Sequence, residues 1–88
     1  MTVEQLEKVL NEALSDKKSI ILYNDDINTF EHVISCLMLY CDHTPTQAEQ
    51  CALIVHNNGK CSVKTGELLD LVPIKSALIL HKLNAEIE

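Results

Sequence analysis

Ser19-Ile20-Ile21-Leu22-Tyr23-Asn24-Asp25-Asp26 is the stretch on which the fold turns. Its first five residues are a β-prone run with no breaker, which reads as a central or near-central strand. The run then stops at an amide and two carboxylates, side chains that favour turns and caps. A helix should depart from that point. Further on, Val55-His56-Asn57-Asn58-Gly59-Lys60 shows the opposite event, a helix running into a glycine. An amide, two carboxylates and an imidazole thus lie on element ends, where side chains can converge on a ligand instead of filling a core. The set is rich in acceptors, and a small cation such as a free α-amino group suits it.

Outward from the strand, Asn28-Thr29-Phe30-Glu31 opens the next helix, with Asn28 as the expected N-cap and Glu31 as its capping-box partner. Phe30, Val33, Ile34, Leu37, Met38 and Cys41 trace its apolar face, and Asp42-His43 break it. Thr44-Pro45-Thr46-Gln47 starts another helix, since Thr44 caps, Pro45 suits the first helical position and Gln47 can reach back. This helix buries Ala48, Cys51, Ala52 and Val55 and ends at Asn57-Asn58-Gly59. Residues 60–65 read as a second strand, 65–70 as a short helical turn, and Pro73 as the start of a further helix. Ala85 to Glu88 is long enough for a brief edge strand. Upstream, Val3, Leu6, Leu10, Ala13 and Leu14 form the stripe of an amphipathic helix over 3–14, which must dock or fray. Ser15 to Lys18 reads as a polar connector.

The order helix, strand, helix, helix, strand, helix, strand predicts an α/β (α+β) sandwich, a three-stranded sheet with helices on one face. Two consecutive helices between the first strands exclude a simple βαβ ladder. Residues 1–18 are expected to be an N-terminal extension and 19–88 the core domain.

A chain of 88 residues is one domain with one modest core. Its apolar content of 47% argues for globular folding. With 7 basic against 13 acidic residues and a net charge of −6, the chain repels phosphate backbones, so no nucleic-acid partner is expected. No apolar run approaches the ~18 residues of a membrane span, and the first residues lack the signature of a secretory signal. A cytoplasmic location with no membrane partner is the expectation. Cys36, Cys41, Cys51 and Cys61 form no Cys-x-x-Cys pair and read as small hydrophobes. A metal site built on Cys41 and His43 with Cys36 or Cys51 is the sharper alternative, but only Cys41-Asp42-His43 has near-ligand spacing. No metal or cofactor is expected.

Leu22-Tyr23-Asn24-Asp25-Asp26, the helix opening at 28–31, Ala48-Glu49-Gln50, Val55-His56 and Gly59-Lys60 together resemble the ClpS family, in order from about Ile20 to Glu67. Members are adaptors that hand N-degron substrates to a AAA+ Clp protease, and they are not enzymes. The resemblance implies that Asn24, Asp25 and His56 hold a substrate's α-amine. It implies that Asp26, Asn28, Phe30, Val33, Ala52, Val55 and Leu83 surround a bulky hydrophobic first side chain. Glu67 would touch the N-terminal domain of a ClpA- or ClpC-type unfoldase. Where the family commonly has Thr-Pro-Met-Glu this chain has Asn28-Thr29-Phe30-Glu31, and Ala52 stands where many members carry another methionine. Both changes alter the pocket wall.

Two other readings compete. The fold resembles the C-terminal domain of the ribosomal stalk protein, which recruits factors and needs no convergence of Asn24, Asp25 and His56. A small enzyme or metal protein using Asp25, Asp26, His56 and a cysteine lacks a visible nucleophile–base pair.

Overall fold

The computed structural model describes the backbone of residues 1–88 and the side chains of all but residues 13–15. The elements are α1 (Val3–Ser15), β1 (Lys17–Tyr23), α2 (Phe30–Tyr40), α3 (Pro45–Asn58), β2 (Lys60–Glu67), α4 (Leu68–Leu80) and β3 (Asn84–Ile87). The sheet has the order β2-β1-β3, and both pairings are antiparallel. The expected α+β class and central first strand are observed.

Strand alternation divides the sheet into two faces. Ile20 and Leu22 of β1, Val63 of β2 and Ala85 of β3 are buried against Leu37, Ala48, Val55, Leu71, Leu78 and Leu83. The other face is wetter, with Ser19 Oγ 3.1 Å from Thr65 Oγ1 and the Tyr23 hydroxyl donating to the Glu88 carboxylate. A bulge interrupts the β1–β2 register, with Ile20 opposite Lys64 and Ile21 opposite Ser62. Val63 is the extra residue, and a bulged residue loses its ladder partner. Its carbonyl accepts from His43 Nε2 at 2.6 Å instead. That gives His43, which the sequence leaves at a boundary, a structural role.

Four expectations need correction. The N-cap of α2 is Thr29, whose hydroxyl accepts from the His32 amide at 3.1 Å, and α2 shows no capping box. Asn28 instead uses its side-chain amide as a donor elsewhere. Pro73 does not start α4 but lies inside it. The carbonyl it leaves without a helical donor is that of Leu69, a residue 67% exposed, so water can serve it. The strands run longer than read: β2 absorbs the supposed turn up to Glu67, and β1 begins at Lys17, inside the supposed connector.

The boundary at Thr44 is as expected, with the complete capping box to Gln47 and Pro45 in the first turn. Helix α1 forms, with its own capping box between Thr2 and Gln5. Its stripe stays wet: Val3, Leu6, Val9 and Leu10 are each about half exposed or more. The Ala13 and Leu14 end of that stripe lies outside the described side chains.

Because Thr29 alone satisfies an orphan amide at the start of α2, Thr29→Ala should cost about 1 kcal/mol in urea unfolding. Glu31→Ala, which removes only a first-turn charge, should cost no more than about 0.5 kcal/mol.

Candidate functional site

The end of β1 and the end of α3 are joined by one backbone hydrogen bond. The Asn24 amide donates to the Gly59 carbonyl at 2.8 Å. Gly59 sits at φ +91°, a left-handed conformation that costs glycine no Cβ clash, and its amide closes α3 on the Val55 carbonyl. The helix therefore stops where the neighbouring strand starts, and Tyr23 pairs with Lys60 directly below. Asn24 and His56, far apart in sequence, are delivered to one rim.

That rim opens on a cavity of about 470 Å³. Asn24, Asp25, Asp26, Asn28, Phe30, Val33, Ala52, Val55, His56 and Leu83 all line it. Leu22 and Tyr23 line it too. The sequence places both in the strand and marks neither as a wall residue, although the last residues of a strand that ends at a site are natural wall candidates. Leu22, Ala52, Val55 and Leu83 are buried and make an apolar floor, while Phe30 stands 36% exposed at the mouth. Cavities of this size and lining accommodate one large side chain or a small ligand.

The polar groups fall into two kinds. The Asp25 carboxylate is committed to its own loop: Oδ1 accepts from the Ile27 and Asn28 amides, each at 3.0 Å, and the Asn28 side-chain nitrogen lies 3.1 Å from Oδ1 and 2.9 Å from Oδ2. One lone pair of Oδ2 remains for a guest. The side chains of Asn24, Asp26 and His56 make no hydrogen bond to other described residues. Burial by itself pushes the Asp25 carboxyl upward, but the amides of Asn28 and Ile27 and the Asn28 side chain outweigh it and hold it below 3.8.

Glu67 lies elsewhere, exposed at the cap of α4, opposite Lys17 in the sheet, and it does not line the cavity. His32 and His81, given no role from sequence, turn out to be tied together. His32 Nε2 donates to the His81 carbonyl at 2.8 Å, and the His81 ring bonds the Ala77 carbonyl at 2.8 Å and the Tyr40 hydroxyl at 3.1 Å. Cys36 and Cys41 are buried and Cys51 and Cys61 half-buried; burial pushes the Cys41 thiol up to about 11. Among the described residues, no three His, Cys, Asp or Glu side chains gather as metal ligands.

Residues 13–82 match the family model of the ATP-dependent Clp protease adaptor protein ClpS. The chain belongs to the ClpS family. It is 36% identical over 74 residues to the E3 ubiquitin-protein ligase ubr-1 of Caenorhabditis elegans, across 82% of this chain but 4% of that protein. It is 38% identical over 53 residues to the ATP-dependent Clp protease adapter protein ClpS of Nitratidesulfovibrio vulgaris (strain DSM 19637 / Miyazaki F). That match covers 58% of this chain and 53% of the relative. The chain thus spans about half of one curated relative and a small part of the other. The fold matches that of Agrobacterium tumefaciens ClpS2 bound to L-phenylalaninamide, with a TM-score of 0.78 and 20% identity. The superposition covers 84% of this chain and 96% of that one. Asn24, Asp25 and His56 converge on one cavity, an arrangement that the ribosomal-stalk reading does not need. No helix is long and apolar enough to cross a membrane among the described residues.

A depressed carboxyl stabilises the fold above its unfolded pKa, and that contribution is lost as pH falls through the lower folded value. Comparing urea unfolding of the native chain with Asp25→Ala, the gap should be full at neutral pH. It should shrink once pH drops below 3.8, the ordinary carboxyl value.

Proposed function

We propose that this chain is a non-enzymatic recognition module for N-degrons, binding the free N-terminus of substrates whose first residue is Leu, Phe, Tyr or Trp. One observation carries the reading: uncommitted acceptors on Asn24, Asp26 and His56, with the spare lone pair of Asp25, surround the mouth of a cavity whose floor is apolar. An α-ammonium has three protons and needs about three acceptors. Asn24 Oδ1, a ring nitrogen of His56 and the Asp25 carboxylate are the set assigned to it. The side chain of residue one then enters between Phe30, Val33, Ala52, Val55 and Leu83. Phenylalaninamide, the ligand of the ClpS2 structure, has both features, a free α-amine and an apolar side chain.

Magnitudes are in keeping with this division of labour. A charge-assisted hydrogen bond contributes roughly 1.5–3 kcal/mol. Burial of a Leu or Phe side chain adds about 1.5–3 kcal/mol. At the upper end of these ranges, three such bonds and one buried side chain less about 4 kcal/mol of association losses leave about −8 kcal/mol, a micromolar Kd. Nothing in the site needs to break a bond.

In titrations with a Leu-initiated peptide and its N-acetylated twin, the free peptide should bind in the micromolar range. Acetylation removes the charge and two donors, so the twin should lose at least about 100-fold. Equal affinities would end the α-amine assignment.

For delivery, the reading is transfer in the cytoplasm to a Clp AAA+ unfoldase of ClpA or ClpC type, with Glu67 on the docking surface. The likeness to ubr-1, which spans more of this chain than the bacterial relative does, favours a second reading: the same recognition step coupled to a ubiquitin ligase. Binding to a purified Clp N-terminal domain separates them. Under the first reading the domain binds and Glu67→Lys abolishes the complex while peptide affinity is unchanged. No complex, with peptide affinity intact, supports the second.

A further inference from the structure

Asn28 lines the cavity, yet its side-chain amide has no donor left for a guest. An amide nitrogen carries two hydrogens. One is directed to the Asp25 carboxylate, at 2.9 and 3.1 Å from its oxygens, and the other to the Lys82 carbonyl at 2.8 Å. Asn28 therefore bridges two segments that are 54 residues apart in sequence.

The segment at the far end is the turn that presents Leu83. Lys82 adopts φ +72°, the left-handed conformation that L side chains avoid. Its amide donates to the Ile79 carbonyl at 2.9 Å and the Leu83 amide to the Leu78 carbonyl at 3.0 Å. This nested pair is a Schellman ending of α4, with apolar contact between residues equivalent to Leu78 and Leu83. Just past the helix, two successive carbonyls receive side chains from the opposite side of the site: His81 from His32 and Lys82 from Asn28. The same Asn28 amide that orients the Asp25 lip holds the turn behind Leu83.

We infer that Asn28 is a positioning residue for N-terminus recognition: it clasps the Asp25 loop to the Leu83 turn and so fixes the shape selectivity of the pocket. The inference rests on the proposed recognition of a free N-terminus. A pocket distinguishes first residues of equal size only if its walls hold their spacing. With the clasp gone, the lip and the Leu83 wall move independently. Leucine and isoleucine, isomers that differ only in branching, then become harder to tell apart.

Asn28→Leu keeps the branched heavy-atom shape of the side chain and removes both donors. Making it in a Lys82→Gly background, which relieves the left-handed residue, keeps the chain folded. In the ligand-free protein, the amides of position 82 and of Leu83 should exchange with solvent at least about tenfold faster than in Lys82→Gly alone, with those of Ile20 and Leu22 unchanged. The ratio of affinities for Leu- and Ile-initiated peptides should fall at least about threefold. Unchanged exchange would reduce Asn28 to a space-filling role and overturn the clasp. Faster exchange with an unchanged ratio would overturn its part in selectivity. If the native chain does not distinguish a Leu-initiated peptide from its acetylated twin, the proposed function fails, and the exchange rates still decide the clasp.

Discussion

A single backbone hydrogen bond, from the Asn24 amide to the Gly59 carbonyl, is the constraint on which the site depends. It extends the β1–β2 ladder one step beyond Tyr23 and Lys60 and fixes the end of α3 over the end of β1. Gly59 makes this possible because only a left-handed residue turns the chain from helix to strand within one step. Nothing lies within 4 Å of where a Cβ would project from Gly59, so the demand there is conformational and not steric. Every polar group at the cavity mouth is carried on one side or the other of this junction.

The site also separates acceptors by commitment. Asp25 spends most of its capacity organising its own loop, which keeps it ionised and aimed; Asn24 and His56 are left unspent. Such an arrangement costs folding stability, since solvated acceptors held together contribute little to the folded state. It is consistent with a site whose partner arrives from solution carrying donors. The apolar floor is built the same way: Ala52 and Val55 come from the helix that bears His56, so a polar group of the rim and part of the floor share one rigid element.

The order of elements, the central strand and the Thr44 cap were readable because each rests on local chemistry: apolar periodicity, a capping box, a proline in the first helical turn. The start of α2 was not. Asn28 and Thr29 can both cap, and local propensity does not choose between them. The choice is made by the Lys82 carbonyl, which takes the Asn28 amide as a donor and leaves Thr29 to accept. Pro73 failed for a related reason. Its preference for a first turn is real, but burial of Leu71 and Leu78 holds the helix through it, and the carbonyl it orphans is on a wet residue. The convergence of Asn24 with His56 came from resemblance. Periodicity places each on an element end but does not say that the two ends meet.

The cavity and Glu67 occupy separate surfaces of the molecule. The cavity is framed by the 24–28 loop, one face of α3 and the Leu83 turn, whereas Glu67 stands at the junction of β2 and α4 without touching it. A fold built this way can keep its pocket while its outer surface is rewritten for a different partner. The likenesses to a bacterial protease adapter and to a segment of a ubiquitin ligase fit that separation. What must persist between such proteins is the strand-to-helix junction and the clasped turn opposite it, because both walls of the pocket are positioned by those two contacts. Side chains on the outer face of α4, where Leu69 and Leu80 are largely exposed, carry no such obligation to the pocket.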